Sequence, residues 1–364
     1  MSVRAAVVGL GWAGRELWLP RLRSHPAFDL VSVVDPDPAA RAAAGEATGI
    51  PTHAAPDALD ARSVDLAVVA VPNHLHAKVA ADLLGRGVSV FLEKPVCLSS
   101  AEADILASAE RDGGMLLAGS AARHRADVRE LVEVLPELGR VRHVDLAWVR
   151  ARGVPRAGGW FTRRSEAGGG ALVDLGWHLV DTLTALLGAS PVRQAVGSVS
   201  DDFLNVGAWS AAWRREQPAD ALAGDVEDTA RGFLLREDGV SVSLRASWAS
   251  HEATDLSLIR IEGSTGAAEL RCTFGFSPNR QPESVLTLTR EGTTRRLPVP
   301  AEPVGAEYGR QLDVVPDLLA DPDGRGRAIA DARATVGLME RLYASASDRV
   351  DGPSEPVYQQ TLGR

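Results

Sequence analysis

Mostly apolar runs and helix-like segments alternate over about the first 120 residues. The apolar runs lie at 3–8, 28–34, 65–71, 88–92 and 115–118, and the helix-like segments at 13–23, 75–86 and 99–111. The last of these segments begins with Ser99 and Glu102 at the spacing of a capping box. Apolar runs without regular polar alternation are typical of strands buried on both faces. The alternation therefore predicts a parallel sheet with helices on both sides.

The pattern changes after residue 122. Helices are predicted over 126–138 and 171–187, and between them lie a long strand at 141–150 and a loop rich in glycine and arginine at 151–170. Strands separated by turn signals follow at 192–200, 205–213, 229–235, 240–248, 256–262, 267–272 and 285–290, with helices at 308–320 and 329–346. We expect an α/β protein with a doubly wound parallel sheet in residues 1–122. Residues 123–364 are expected to form an α+β domain with a large open, mostly antiparallel sheet.

Composition and charge narrow the classes of function. The chain has 364 residues, is 45% hydrophobic and 24% charged, and carries a net charge of −9. This acidity argues against a large nucleic-acid or anionic-membrane surface. Cys97 and Cys272 are far apart, which argues against a disulfide scaffold, and no run approaches the roughly 18 apolar residues of a membrane span. We therefore expect a cytoplasmic protein with no nucleic-acid or membrane partner.

Three glycines near the start of the chain have the spacing of a dinucleotide-binding loop. Gly9, Gly11 and Gly14, with Trp12 and Ala13 among them, lie between the first predicted strand and helix. In such loops the first glycine permits a tight turn, the second lets a pyrophosphate approach the backbone, and the third allows close helix–strand packing. Helix N-terminal amides then bind the phosphates. An ordinary glycine-rich turn is the alternative, and the strand–helix context favours the nucleotide site.

An acidic residue ends the second predicted strand. Asp35 is placed to accept hydrogen bonds from the ribose hydroxyls of a bound adenosine. A carboxylate there repels a 2′-phosphate, Asp37 adds a second negative charge, and no arginine follows directly. NAD is therefore expected rather than NADP. The alternative is a turn-forming aspartate in front of Pro36.

Lys94 is a candidate for the chemistry. It lies in the sequence Glu93-Lys94-Pro95 at the end of a predicted parallel strand, where open α/β sheets bind their ligands. Only two of the 39 basic residues are lysines. A lysine in an arginine-rich chain indicates a property that arginine lacks, such as a pKa that can shift toward neutrality. The alternative is a solvated surface lysine.

Asp174 and His178 are a second candidate. They are four residues apart on a predicted helix and therefore share one face. Imidazole is the usual proton acceptor near pH 7, and a carboxylate one turn away can orient it. Gly168–Gly170, just before the helix, are expected to let substrate or cofactor approach the backbone. The alternative is a polar stripe that merely includes Asp174, His178 and Asp181. No spacing of histidines and acids is typical of a metal site.

Taken together, the motifs resemble the Gfo/Idh/MocA oxidoreductases, named for glucose–fructose oxidoreductase and inositol dehydrogenase. The similar segments are GLGWAG at 9–14, VPNHLH at 71–76, EKP at 93–95 and GGGALVDLGWHLVD at 168–181. The resemblance implies a Rossmann domain followed by a domain whose open sheet packs in homodimers or homotetramers. It also implies NAD(P)-dependent hydride transfer at a carbon of a sugar or cyclitol.

The resemblance also assigns roles to individual residues. Lys94, Asp174 and His178 match the family's catalytic lysine, aspartate and histidine. Expected cofactor contacts are Gly9, Gly11, Trp12, Ala13, Gly14, Asp35, Pro72, Asn73, His76, Glu93, Lys94 and Arg123. Expected substrate contacts are Lys94, Arg123, Trp160, Asp174 and His178. The family's arginine-rich motif after the sixth strand is reduced here to Arg123, and its Trp-Arg pair is Trp160-Phe161.

The sequence thus predicts an NAD-dependent dehydrogenase that oxidises a secondary hydroxyl of a sugar, aminosugar, glycoside or cyclitol to a ketone. Lys94 and the Asp174/His178 pair are the expected acid–base groups. Three alternatives stay open: a keto-sugar reductase, a glycosidase of the same fold that retains NAD, and a non-catalytic NAD-binding sensor.

Overall fold

The computed structural model describes residues 2–211 and 223–347. Six parallel strands form the first sheet, in the order β3-β2-β1-β4-β5-β6. They are β1 (Val3–Val8), β2 (Phe28–Val34), β3 (Thr52–His53), β4 (Leu66–Val69), β5 (Ser89–Leu92) and β6 (Leu116–Ala118). Its helices are α1 (Leu19–Ser24), which continues a π-helical segment over Ala13–Trp18, α2 (Pro38–Thr48), α3 (His76–Gly85) and α4 (Ser100–Asp112). This strand order is that of a dinucleotide-binding fold, and it confirms the predicted doubly wound sheet.

Eight strands form the second sheet, in the order β14-β13-β12-β11-β7-β10-β9-β8. They are β7 (Val141–Val149), β8 (Val192–Ser200), β9 (Thr229–Arg236), β10 (Ser241–Ser247), β11 (Leu256–Gly263), β12 (Ala267–Cys272), β13 (Val285–Arg290) and β14 (Thr293–Leu297). β10 pairs with β7 in parallel, and the other pairings are antiparallel. The predicted mostly antiparallel sheet is therefore confirmed.

One face of the second sheet is covered by helices. The remaining helices are α5 (Ala126–Val134), α6 (Arg164–Ala167), α7 (Trp177–Leu187), preceded by a π-helical segment over Leu172–Gly176, α8 (Ala306–Ala320) and α9 (Arg327–Ser347). Val242, Leu244 and Ala246 of β10 alternate with less buried residues and lie in the same core as the residues of α7. On the outer strands Phe233 stays 51% exposed. Assembly through this sheet remains a prediction.

The last helices return to the first sheet. Leu312 and Val315 of α8 are buried in the same core as Trp18 and Phe91. A segment from the end of the chain therefore contributes to the core of the N-terminal half. The domain boundary at residue 122 stays a prediction.

The strand predicted over 205–213 is wrong for its described part. Residues Gly207–Trp209 form a 3-10 turn instead, and residues 212 and 213 lie outside the described chain. The Asn205 side chain donates to Gly224 O at 3.3 Å and accepts from Gly224 N at 2.9 Å. In its described part, the backbone of this segment pairs only with Val154, whose N donates to Trp209 O at 3.1 Å and whose O accepts from Ala211 N at 2.8 Å, so an isolated bridge forms instead of a strand ladder.

The glycines in front of α7 have a packing role. A Cβ on Gly169 would lie 2.1 Å from the Tyr343 hydroxyl, and one on Gly170 would lie 1.7 Å from the Glu227 carbonyl oxygen. These glycines are therefore required by packing, and the expectation that they let a ligand approach the backbone stays a prediction. The buried Glu227 carboxylate accepts from Gly170 N and Leu172 N at 3.0 Å each. This carboxylate fixes the start of the helical segment that carries Asp174 and His178.

Gly170→Ala is expected to lower the free energy of unfolding by about 1–3 kcal/mol, the usual cost of overpacking a filled site. Gly85→Ala is the matched control, since a Cβ at Gly85 in α3 would meet nothing within 4 Å. The control should be neutral or slightly stabilising. Urea unfolding followed by circular dichroism measures both changes, and equal stabilities for the two variants would contradict this role of Gly170.

Candidate active site

The glycine loop has the shape of a phosphate cradle. Gly9 has a φ of +95°, and a Cβ there would lie 2.5 Å from the Ala70 carbonyl oxygen. At Gly14 a Cβ would lie 1.8 Å from the Gly9 carbonyl oxygen, whereas at Gly11 it would meet nothing within 4 Å. Gly9 and Gly14 are thus required by the turn itself. The open space at Gly11 fits a pyrophosphate that approaches the backbone.

Asp35 is tied to this loop. Its carboxylate accepts from Leu10 N at 2.6 Å and from Asp37 N at 2.8 Å. Arg41 of α2, which sequence reasoning did not single out, donates to the backbone carbonyls of Asp35 and Pro36 at 2.7 and 2.9 Å. The turn after β2 therefore carries a carboxylate and a guanidinium side by side. Trp12 of the loop packs edge-to-face on Phe276, at a centroid distance of 5.2 Å.

Two predicted cofactor residues after β4 are bonded to the backbone of the protein. Both ring nitrogens of the buried His76 lie on carbonyl oxygens, at 2.6 Å from Pro95 O and 2.8 Å from Val71 O. Burial lowers the pKa of His76 to about 4. The Asn73 amide donates to Ala167 O at 3.0 Å. These side chains link the ends of β4 and β5 to the loop before α7, next to Pro72.

Lys94 meets Asp174 where the two sheets come together. Its ammonium donates to Asp174 Oδ1 at 2.6 Å, and the two side chains are 17% and 4% exposed. The other carboxylate oxygen, Oδ2, accepts from the indole of Trp248 at 2.9 Å. Lys94 follows β5 of the first sheet, Asp174 precedes α7, and Trp248 follows β10 of the second sheet. The pair therefore joins both halves of the chain at one point.

His178 lies one helical turn beyond Asp174 and is buried. Its pKa falls to about 3, first because of burial and then because of the positive charges of Lys94 and Arg150, which outweigh the charge of Asp174. The ring also lies against Trp148, at a centroid distance of 5.3 Å. At neutral pH the imidazole is uncharged and can accept a proton.

Arg150, predicted only as the last residue of a strand, is a buried cation. Its Nη1 lies 3.9 Å from Asp174 Oδ2, and its guanidinium carbon lies 5.4 Å from the centroid of the Trp148 ring. One carboxylate thus faces two cations, Lys94 and Arg150. A local excess of positive charge stabilises an oxygen that becomes negative during a reaction.

Both carboxylate oxygens of Glu93 accept hydrogen bonds from residues of the N-terminal half of the chain. Its Oε1 accepts from the Trp18 indole at 2.7 Å, and its Oε2 accepts from Lys94 N at 3.0 Å. Burial raises the pKa of this carboxyl. Glu93 therefore supports the backbone that presents Lys94.

Arg123 and Trp160 contact residues other than Lys94 and Asp174. The Arg123 guanidinium is bonded to Asp181, one turn beyond His178, and lies 3.6 Å from Asp331 of α9. These two carboxylates are its partners in the structure, and the expected contact of Arg123 with cofactor or substrate stays a prediction. Trp160 contacts Phe161 at 4.9 Å between centroids, and Phe161 contacts Trp248 at 5.9 Å. Trp160 is thereby connected to the site through one ring.

Two further kinds of feature are absent from residues 2–211 and 223–347. This part of the chain contains no group of three histidine, cysteine or acidic side chains placed to bind a metal ion. It also contains no helix with the length and hydropathy needed to cross a membrane.

Family models match most of the chain. The model described as an oxidoreductase family with an NAD-binding Rossmann fold matches residues 3–120. The model of the GFO/IDH/MocA C-terminal domain matches residues 126–269.

Individual relatives agree with these matches. A proposed UDP-kanosamine synthase oxidoreductase subunit of Amycolatopsis mediterranei is 67% identical over 359 residues, which cover 99% of this chain and 100% of that protein. A dTDP-3,4-didehydro-2,6-dideoxy-alpha-D-glucose 3-reductase of Streptomyces antibioticus is 26% identical and covers 95% of this chain and 98% of its own. The solved structure of GenD2 from gentamicin A biosynthesis, in complex with NAD, has a TM-score of 0.74, 27% identity and 95% coverage of both chains. The glycine cradle, the strand order and these matches together lead to one conclusion: the chain belongs to the Gfo/Idh/MocA family of oxidoreductases.

Proposed function

We propose that this chain is an NAD(H)-dependent oxidoreductase that converts the C3 hydroxyl of a UDP-linked hexose to a ketone. The observation that carries the proposal is the Lys94–Asp174 pair at 2.6 Å beside an uncharged His178. The Lys94–Asp174 pair lies at the carboxyl ends of the parallel strands, where this fold binds its ligands.

The choice of substrate is supported by the relatives. The Amycolatopsis relative is named for UDP-kanosamine synthesis and the Streptomyces relative for reduction at position 3. Kanosamine is an amino sugar, and the exchange of a sugar hydroxyl for an amine requires a ketone first. A carbonyl-aminating enzyme would then consume the product of this chain.

The side chains of the site have distinct tasks in this scheme. Bound NAD supplies the acceptor for the hydride that leaves the sugar carbon. The neutral His178 accepts the hydroxyl proton, while Lys94 donates a hydrogen bond to the oxygen as it becomes negative. Asp174 holds Lys94 in place. The glycine loop and Asp35 bind the dinucleotide.

Reduction of a keto-sugar is the second candidate. In that direction the Lys94 ammonium would donate a hydrogen bond to the carbonyl oxygen and polarise the carbonyl for hydride attack. The reductase name of the Streptomyces relative agrees with this direction.

The experiment that tests the proposal is a panel of UDP-hexoses, free hexoses and glycosides, scored by NADH formation. Steady NADH formation with UDP-glucose supports the dehydrogenase. Borodeuteride trapping of the product, followed by NMR, locates the ketone. Turnover of glycosides without net NADH would favour the NAD-retaining glycosidase, and cofactor binding without any turnover would favour the sensor.

Lys94→Ala and His178→Ala are each expected to lower kcat by about 10²–10⁴-fold, the usual contribution of a positioned acid or base. Lys78→Ala is the matched control, because Lys78 is an exposed lysine on α3. NADH binding, followed by fluorescence, should persist in all three variants. Wild-type turnover in both site variants would contradict the mechanism.

The pH profile provides an independent test of His178. The base must be neutral, and its pKa of about 3 keeps it neutral as the pH falls through the range where a free histidine titrates. The kcat/KM profile should therefore show no acid limb near pH 6.5. An NMR titration of the His178 ring with a midpoint near neutral pH would contradict this account.

The preference for NAD over NADP is supported by Asp35, whose charge would repel a 2′-phosphate. Asp35→Ser should remove this repulsion and leave Arg41 to pair with the phosphate, so the Kd for NADPH should fall by about tenfold or more. The double variant with Arg41→Ala should lose that gain. Tight NADPH binding by the wild-type chain would contradict the preference.

A further inference from the structure

A cluster of three aromatic rings and an arginine takes no part in the chemistry described above. The centroid distances are 4.8 Å for Phe203–Trp209, 5.6 Å for Phe203–His251 and 5.2 Å for Trp209–His251. The Arg152 guanidinium lies 5.3 Å from the centroid of the Trp209 ring. Arg152 and His251 are exposed, and the other two are half-buried. These four residues are called the rim cluster.

Backbone contacts connect the rim cluster to Trp248, the residue whose indole donates to Asp174. Arg152 forms a β-bridge with Ala249, which directly follows Trp248. Trp248 N donates to Asp228 O at 2.8 Å, and Asp228 Oδ2 accepts from Phe203 N at 2.6 Å. The rim cluster therefore begins within a few residues of the candidate active site.

Arg152 differs from Arg163 and Arg164, two other arginines of the loop at 151–170, in its ion pairing. Arg163 is paired with Glu166 at 2.7 Å, and Arg164 lies 3.4 Å from Glu227. Within residues 2–211 and 223–347, Arg152 has no carboxylate in ion-pair distance. An exposed guanidinium beside aromatic rings, without an acidic partner, is suited to an anionic ligand that also carries a flat ring.

We propose that the rim cluster is the nucleotide subsite, in which Arg152 binds the diphosphate and the aromatic rings contact the base of a nucleotide-linked hexose. This proposal rests on the proposed function and names the residues that would recognise the nucleotide. Arginine forms charge-assisted hydrogen bonds with phosphate oxygens, and aromatic side chains are the usual platforms for bases. A free monosaccharide offers neither a phosphate nor a base and would leave the rim cluster unused.

The test uses the whole enzyme saturated with NAD, with UDP-glucose as substrate and UDP as inhibitor. Arg152→Ala is expected to raise both the KM for UDP-glucose and the inhibition constant of UDP by about tenfold or more, the usual loss for a charge-assisted bond. The expected change in kcat is smaller, because the lost contact is equally present before and during the reaction. Arg193→Ala, an exposed arginine of β8, is the matched control and should leave both constants unchanged.

Several outcomes decide the question. Inhibition by UDP that is competitive with UDP-glucose but not with NAD, and weakened in Arg152→Ala, supports the nucleotide subsite. Turnover of UDP-glucose with no inhibition by UDP, or Arg152→Ala constants equal to those of Arg193→Ala, would overturn it and leave the proposed function standing. If no sugar reduces NAD, the proposed function fails separately. In that case calorimetric titration of UDP into wild type, Arg152→Ala and Trp209→Ala, each checked by circular dichroism, still decides the subsite.

Discussion

The ion pair between Lys94 and Asp174 is the interaction on which the rest of the site depends. It joins the end of a strand in the first sheet to a helical segment packed on the second sheet, and both side chains are largely withdrawn from water. A buried carboxylate is costly unless its oxygens are bonded. Here Lys94 occupies one oxygen and the Trp248 indole the other. The three side chains can meet only when the two sheets pack in one relative position. The fold itself therefore sets the geometry of the reacting groups.

The electrostatics of the cluster follow from the same arrangement. Two cations face one carboxylate, and His178, whose pKa both cations lower, stays uncharged. A cluster of this kind stabilises an oxygen that becomes negative. That is the requirement for a sugar hydroxyl that loses its proton, and equally for a carbonyl that must be polarised. The site is therefore suited to both directions of one redox reaction.

Sequence reasoning found the parts of the site that have local signals. The glycine spacing, a lysine in an arginine-rich chain, and an aspartate and a histidine four residues apart could all be read within short segments. Trp248 and Arg41 lacked such signals, because their roles depend on contacts with residues distant in sequence or on a long side chain that folds back. Arg150 extends the alternation of Val144, Leu146 and Trp148 along β7, which could have identified it as inward-facing. At Gly169 and Gly170 the structure adds a packing requirement that the sequence could not show, since a glycine required by packing has the same sequence signal as one that faces a ligand.

The most direct measurement is a crystal structure of the enzyme with NADH and a UDP-hexose. The account predicts that the C3 oxygen of the hexose lies within hydrogen-bond distance, about 2.6–3.2 Å, of the Lys94 ammonium and of a ring nitrogen of His178. A hexose bound elsewhere, or one that presents a different carbon to these two groups, would contradict it.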